Sequence, residues 1–191
     1  MPDFLKPIAE TTLAHDYGLL KSHTYDLRRR NGQWQRQVRE TYDSGDGAGV
    51  LLCDVADGSV ILIRQFRFPA FYRGEAPYIL EVCAGKLDGD DPETCARKES
   101  IEETGYRIGE LRKAYNCFSS PGSVTERLTL FLGMVEGGPA EAGGGLSDEG
   151  EDIEVVRLPF ATALGLVESG EIHDAKTILL LQYALLQQVF A

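Results

Sequence analysis

The feature that most constrains this chain is a pair of short apolar runs, VLLCDV (residues 50–55) and VILIRQF (60–66), split by Asp57-Gly58. Both are rich in aliphatic and β-branched side chains and too short for core helices. An Asp-Gly pair turns the chain at little cost, so the two predict a hairpin within a buried sheet. Similar runs at YILEVCAG (78–85), LTLFLGMV (128–135) and IEVVRL (153–158) predict further strands. Ahead of them, residues 22–41 read as two extended segments joined by Asn31-Gly32, a second hairpin signal. The first 45 residues are therefore expected to form a β-rich annex to a main domain over 46–191. Two helices are predicted to close the chain, PFATALGLVESG from about residue 159 and KTILLLQYALLQQVF from 176, the second with an apolar face wide enough for core packing. Between the last two strands, EGGPAEAGGGLSDEGED (136–152) is Gly-rich, acidic and poor in apolar residues, which predicts a long mobile loop of a kind often used in function.

At 191 residues and 43% hydrophobic content, the chain can bury one core with a small annex. A net charge of -11 works against non-specific binding to nucleic acid or anionic membrane, both of which need cationic surface. No stretch approaches the roughly 18 to 20 apolar residues of a bilayer span. The start, MPDFLKPIAETT, lacks the basic and apolar blocks of a secretory signal, so a cytoplasmic address is expected. Cys53, Cys83, Cys95 and Cys117 lie far apart and are expected to be buried, inert thiols. His15, His23 and His173 have no acid or Cys partners at ligand spacing, and the chain holds no G-x-S-x-G, G-x-x-x-x-G-K-[ST] or H-E-x-x-H motif. What remains is a small ligand, held through a local cation if it is itself anionic.

The stretch ARKESIEETGY (96–106) is where local rules are broken. Asp91 followed by Pro92 is a helix start and Gly105 a left-handed helix end, so the helix should run over 92–104. Spacing of three and four residues then stacks Glu99, Glu102 and Glu103 on one face, near the end where the helix dipole disfavours each negative charge by about 0.3 to 1 kcal/mol. Two readings follow from spacing alone. Either the face is solvated and relieved by Arg97 and Lys98, or the acids are oxygen ligands for a hard cation.

Gly85, Asp90, Lys98, Glu99, Glu102, Glu103, Gly105 and Tyr106 resemble the Nudix box, G-x5-E-x7-R-E-U-x-E-E-x-G-U with U bulky and apolar. Here it reads G-x4-D-x7-K-E-S-I-E-E-T-G-Y, with one residue fewer after Gly85, Asp90 for Glu, Lys98 for Arg and Ser100 at an apolar position. The shortened box, with RQFR (64–67), AGKLDGDDPE (84–93), SSPGSVTE (119–126), GEDIEV (150–155) and DAKT (174–177), is similar across most of the chain to the bacterial GDP-mannose pyrophosphatase branch of the Nudix hydrolases, akin to the ADP-ribose pyrophosphatases.

That resemblance implies an α/β Nudix fold, an α/β/α sandwich with a mixed sheet, and an annex that pairs two subunits into a homodimer. It implies Mg2+, with Mn2+ as a substitute, at two or three ions per site, held by Glu99 and Glu103 with Glu102 accessory, the carbonyl of Ala84, and Glu151. Glu151, Glu103 and Glu99 are then the catalytic acids, with Glu149 and Asp148 rivals of Glu151 as proton acceptor. Tyr17, Arg39, Glu40, Arg67, Gly85, Lys86, Glu126, Gly150 and Lys176 are implied substrate contacts. Lys98 keeps a charge beside the glutamates but loses the planar fork of Arg, which implies a looser ligand shell. The implied reaction is hydrolysis of GDP-mannose to GMP and mannose 1-phosphate. The alternatives are ADP-ribose cleavage to AMP and ribose 5-phosphate, and a non-catalytic sensor of nucleotide sugars.

Overall fold

The structure is a computed structural model that describes residues 2–191, apart from the side chain of Glu149. It divides into two compact units. One takes the residues up to Asp46 together with Cys117–Arg127, and the other takes Gly47–Asn116 with Leu128–Ala191.

The first unit is built on a three-stranded antiparallel sheet of β1 (Leu5–His15), β2 (Leu19–Arg28) and β3 (Trp34–Asp43), in that order. The turn between β2 and β3 falls where Asn31-Gly32 predicts it, with Gly32 at φ 84°. The segment Cys117–Arg127 joins this unit through backbone bonds, Tyr42 N to Ser123 O at 2.8 Å and Thr125 N to Tyr42 O at 3.0 Å. Nothing in its composition marks that association.

The second unit holds a mixed sheet. Its strands are β4 (Gly47–Asp54), β5 (Ser59–Phe66), β6 (Tyr78–Glu81), β7 (Cys83–Lys86), β8 (Leu111–Phe118), β9 (Arg127–Met134) and β10 (Glu154–Pro159). The order is β10-β5-β4-β9-β8, with β4 parallel to β9. Strands β4 and β5 form the Asp57-Gly58 hairpin but pair only over Leu52–Asp54 and Ser59–Ile61. Beyond that β7 takes the edge of β4 over Gly47–Val50, and β6 takes the edge of β5 over Ile63–Phe66. The predicted single strand YILEVCAG is therefore two, broken at Val82 so that one half can serve each partner. Helices α1 (Phe68–Tyr72), α2 (Pro92–Thr104), α3 (Phe160–Ser169) and α4 (Ala175–Leu186) complete it. None of the described helices is long and apolar enough to cross a membrane.

Strand alternation sorts the core into two layers. Ala48, Val50, Leu52, Ile61 and Ile63 pack with Cys95 and Ala96 of α2, while Leu51, Val60 and Leu62 fall on the opposite face, where α3 and α4 contact β5 and β4. A sheet buried on both faces needs the near-continuous apolar strands that the sequence shows. Cys53, Cys83 and Cys95 are buried and Cys117 is half-buried, all four as free thiols; burial pushes Cys53 to about 12 and Cys95 to about 11, which leaves them protonated.

Candidate active site

Helix α2 is fixed at both ends by the residues its sequence nominates. Asp91 accepts from the amides of Glu93 and Thr94 at 3.0 and 3.1 Å and from the Thr94 hydroxyl at 2.6 Å. Gly105, at φ 76°, ends the helix with its amide on Ile101 O at 2.8 Å. The buried face is Cys95, Ala96, Ser100, Glu103 and Thr104. Ser100 stands where the motif has a bulky apolar residue, yet its hydroxyl is satisfied, donating to Tyr106 O at 2.7 Å. The departure leaves no orphaned polar group.

Glu103 is a carboxylate in a core position, 1% exposed. Its Oε2 accepts from the Ala84 amide at 3.1 Å. One turn earlier, Glu99 lies so close over Gly85 that a methyl group there would meet Glu99 Oε1 at 1.8 Å. The glycine is needed for space rather than for backbone freedom. Burial pushes the Glu103 carboxyl up to about 9, and the charges of Glu99, Glu151 and Glu81 push the same way, against the one favourable amide. A buried Glu103 carboxylate facing the negative charges of Glu99 and Glu151 gives a donor set of hard oxygens with surplus negative charge, which fits a divalent ion such as Mg2+. Among the described residues no three His, Cys, Asp or Glu side chains converge on one point at ligand distance.

The solvated-face alternative fails on burial and on partners. Glu103 is inside, and Arg97 is turned away, bonded to Glu93 at 2.9 and 3.1 Å and to the carbonyls of Ile108 and Gly109. Lys98 pairs with half-buried Glu102 at 4.0 Å, a loose contact of small energetic weight.

The loop expected to be mobile is docked on α2. Gly144 N bonds Glu103 O at 2.9 Å, Gly145 N bonds Glu102 O at 3.0 Å, and Ala140 N bonds Gly105 O at 2.9 Å. These amides satisfy carbonyls that a helix end otherwise leaves orphaned. A side chain at Gly143 would meet the Thr104 backbone at 2.5 Å. The loop glycines therefore allow close approach, where composition alone suggests looseness. Within the loop Glu151 Oε2 accepts from Leu146 N at 2.9 Å, and a side chain at Gly145, whose amide bonds Glu102 O, would meet Glu151 Oε2 at 2.6 Å. Asp148 is exposed on a short 3-10 turn (Ser147–Glu149) that ends at exposed Gly150, φ 77°. The side chain of Glu149 lies outside the described residues.

Near these acids is a polar network that sequence reasoning saw only in part. Arg67 Nε donates to Glu81 Oε1 at 2.6 Å, and Lys176 Nζ donates to Glu81 Oε2 at 3.3 Å and to Asp174 Oδ1 at 2.8 Å. Asp174 in turn caps α4, accepting from the amide and hydroxyl of Thr177 at 3.0 and 2.7 Å. Burial works against the charges of Arg67 and Lys176, but Glu81 and Asp174 outweigh it and raise both. Glu81 and Asp174 were missed. The signal available for Glu81 was a lone acid inside the apolar run YILEVCAG.

Of the other implied contacts, Gly85 and Lys86 lie on half-buried β7 beside these acids. Tyr17, Arg39, Glu40 and Glu126 belong to the first unit. There Tyr17 sits at the β1–β2 turn, 78% exposed, and Glu126 is half-buried. Arg39 and Glu40 line a cleft of about 980 Å3 with Ile8, His23, Phe118 and Val124.

Residues 5–42 match the family model described as the GDP-mannose pyrophosphatase NudK N-terminal domain, and residues 43–181 match the Nudix domain. The chain is 48% identical over 178 residues, 92% of each chain, to the GDP-mannose pyrophosphatases of Shigella flexneri serotype 5b (strain 8401) and Citrobacter koseri. To that of Pectobacterium atrosepticum it is 47% identical over 187 residues, 96% of each. A solved structure titled as an ADP compounds hydrolase shares the fold, with a TM-score of 0.71 over 98% of both chains at 22% identity.

Proposed function

The chain belongs to the Nudix hydrolase family, and from that premise we propose that it hydrolyses the diphosphate bond of GDP-mannose to GMP and mannose 1-phosphate with the help of Mg2+. The observation that carries the reading is the buried carboxylate of Glu103, 1% exposed, held by the Ala84 amide and crowded by the negative charges of Glu99 and Glu151, an arrangement that a divalent cation relieves. Glu99 and Glu103 would hold the ion, with Glu102 and the Ala84 carbonyl completing the set. Held by those residues, a divalent ion would supply charge neutralisation for the diphosphate and a lowered pKa for water.

The protein's own groups divide the remaining work. Arg67 and Lys176 supply the positive charge that an acidic chain needs to hold an anionic diphosphate, Arg67 through a planar fork. Glu151, carried on the docked loop, is the proposed proton acceptor for the water. The Leu146 amide on its Oε2 fixes its orientation and leaves Oε1 to take the proton. In the first unit, Arg39, Glu40, Tyr17 and Glu126 are proposed to select the nucleoside and sugar. Exposed Ile8, Leu13, Trp34 and Val38 support pairing of two annexes in a homodimer.

Product identification tests the substrate. GMP and mannose 1-phosphate should form from GDP-mannose, in the presence of Mg2+, much faster than AMP forms from ADP-ribose. The reverse preference overturns the choice of substrate, and no turnover with any nucleotide sugar leaves the sensor reading in its place.

A further inference from the structure

Glu81 is 2% exposed at the end of β6, and both of its oxygens are engaged by cations. That sets it apart from Glu103 nearby, whose neighbours are other acids. A wholly buried carboxylate is costly unless its charge is paired and its lone pairs are used. Here the cluster ties three elements together: Glu81 ends β6, and its two partners come from beyond the end of β5, Arg67, and from the first turn of α4, Lys176. The chain just beyond Glu81 is tied to the same helix, since Val82 N donates to Thr177 Oγ1 at 2.9 Å.

The way each cation meets Glu81 leaves donors over. Arg67 uses its Nε, the side of the guanidinium, and among the described residues no hydrogen bond engages its two terminal nitrogens. The Arg67 side chain is 41% exposed while Glu81 is buried, so the fork points outward from its anchor. Lys176, with three donors, spends two on Glu81 and Asp174. Arg67 is thus held from behind, and Lys176 keeps one donor in reserve.

We propose that Glu81 is a positioning residue: it binds no metal and touches no substrate, but fixes Arg67 and Lys176 together as a two-cation seat for the diphosphate oxygens of the nucleotide sugar. This rests on the reading above that Arg67 and Lys176 contact substrate. Prepaid ordering of two long, flexible side chains is what such an anchor supplies, and its loss should appear mainly in ground-state binding.

Glu81→Gln keeps the shape, but it faces one cation with an amide donor. With GDP-mannose as probe, it should raise KM by about tenfold or more, hold kcat within about threefold, and move the Mg2+ concentration for half-maximal activity by less than about threefold, since Glu81 is the weakest of the acids acting on Glu103. In an Arg67→Gln background its effect should shrink, because the two changes remove one interaction. A Glu81→Gln protein with normal KM, while Arg67→Gln raises it, overturns the inference alone. So does a loss confined to kcat and Mg2+ affinity, which would assign Glu81 to the acid cluster. If Arg67→Gln and Lys176→Gln both leave KM unchanged, the substrate-contact reading falls instead. Should Glu81→Gln fail to fold, the cycle between Arg67→Gln and Lys176→Gln decides: a common anchor gives non-additive changes in KM, and strict additivity overturns it.

Discussion

The amide of Ala84 donates to the carboxylate of Glu103 across 3.1 Å, so β7 holds the one acid that α2 buries. This bond draws the group inward, while burial and the surrounding acids resist its ionisation up to about pH 9. Between the ordinary glutamate range near 4.5 and that value, the folded metal-free protein binds a proton that the unfolded chain has lost. Its contribution to stability is whole below about 4.5 and drains away as pH climbs through 9. Denaturant unfolding in EDTA at pH 5, 7 and 9 should show stability falling with pH. Glu103→Gln should flatten that slope, and an unaltered slope in the variant would refute the assignment.

Divalent ions require the same group in its ionised form. Mg2+ binding near neutral pH should therefore expel about one proton, and affinity should climb by up to about tenfold per pH unit below pH 9. Calorimetry in buffers of different ionisation enthalpy reads the proton directly. Glu103→Gln should release none and lower kcat by at least ~100-fold.

Gly85→Ala separates space from backbone. Gly85 has no positive φ, so the chain tolerates the substitution, but the new methyl group claims the place of the Glu99 carboxylate. A flexible side chain can swing away, so the melting temperature should move by only a few degrees while kcat falls by about tenfold or more. Unchanged turnover would show that the observed position of Glu99 is not the working one.

Asp91→Ala removes the cap of α2 and should cost about 1 kcal/mol, which for a domain of this size lowers the melting temperature by roughly 2 to 4 °C. Thermal unfolding with and without Mg2+ checks it; a loss under about 0.3 kcal/mol would mean that the loop docked at the other end of α2 already holds the helix.

What could be foreseen in the chain depended on whether its signals were local. Helix α2 was legible to the residue because Asp91-Pro92 and Gly105 punctuate it. The two hairpins were legible because Asn31-Gly32 and Asp57-Gly58 turn them. Strand β8, LRKAYNCF, was missed because it is mostly exposed or half-buried and shows no clean alternation, and α1 is only five residues with Pro69 inside. Glu81 was missed because its partners are 14 and 95 residues away, and such a network has no spacing to read. The Gly-rich loop was misjudged because glycine serves both looseness and tight contact, and only the neighbouring Thr104 backbone tells which applies.

The seating of residues 140–145 on the end of α2 has a consequence for traffic through the site. Swinging that segment aside would strip partners from the carbonyls of Glu102, Glu103 and Gly105 just where the helix acids are crowded. Opening that segment therefore carries a cost in lost hydrogen bonds that motion elsewhere around the acids does not, so the acid loop acts as a fixed wall beside them.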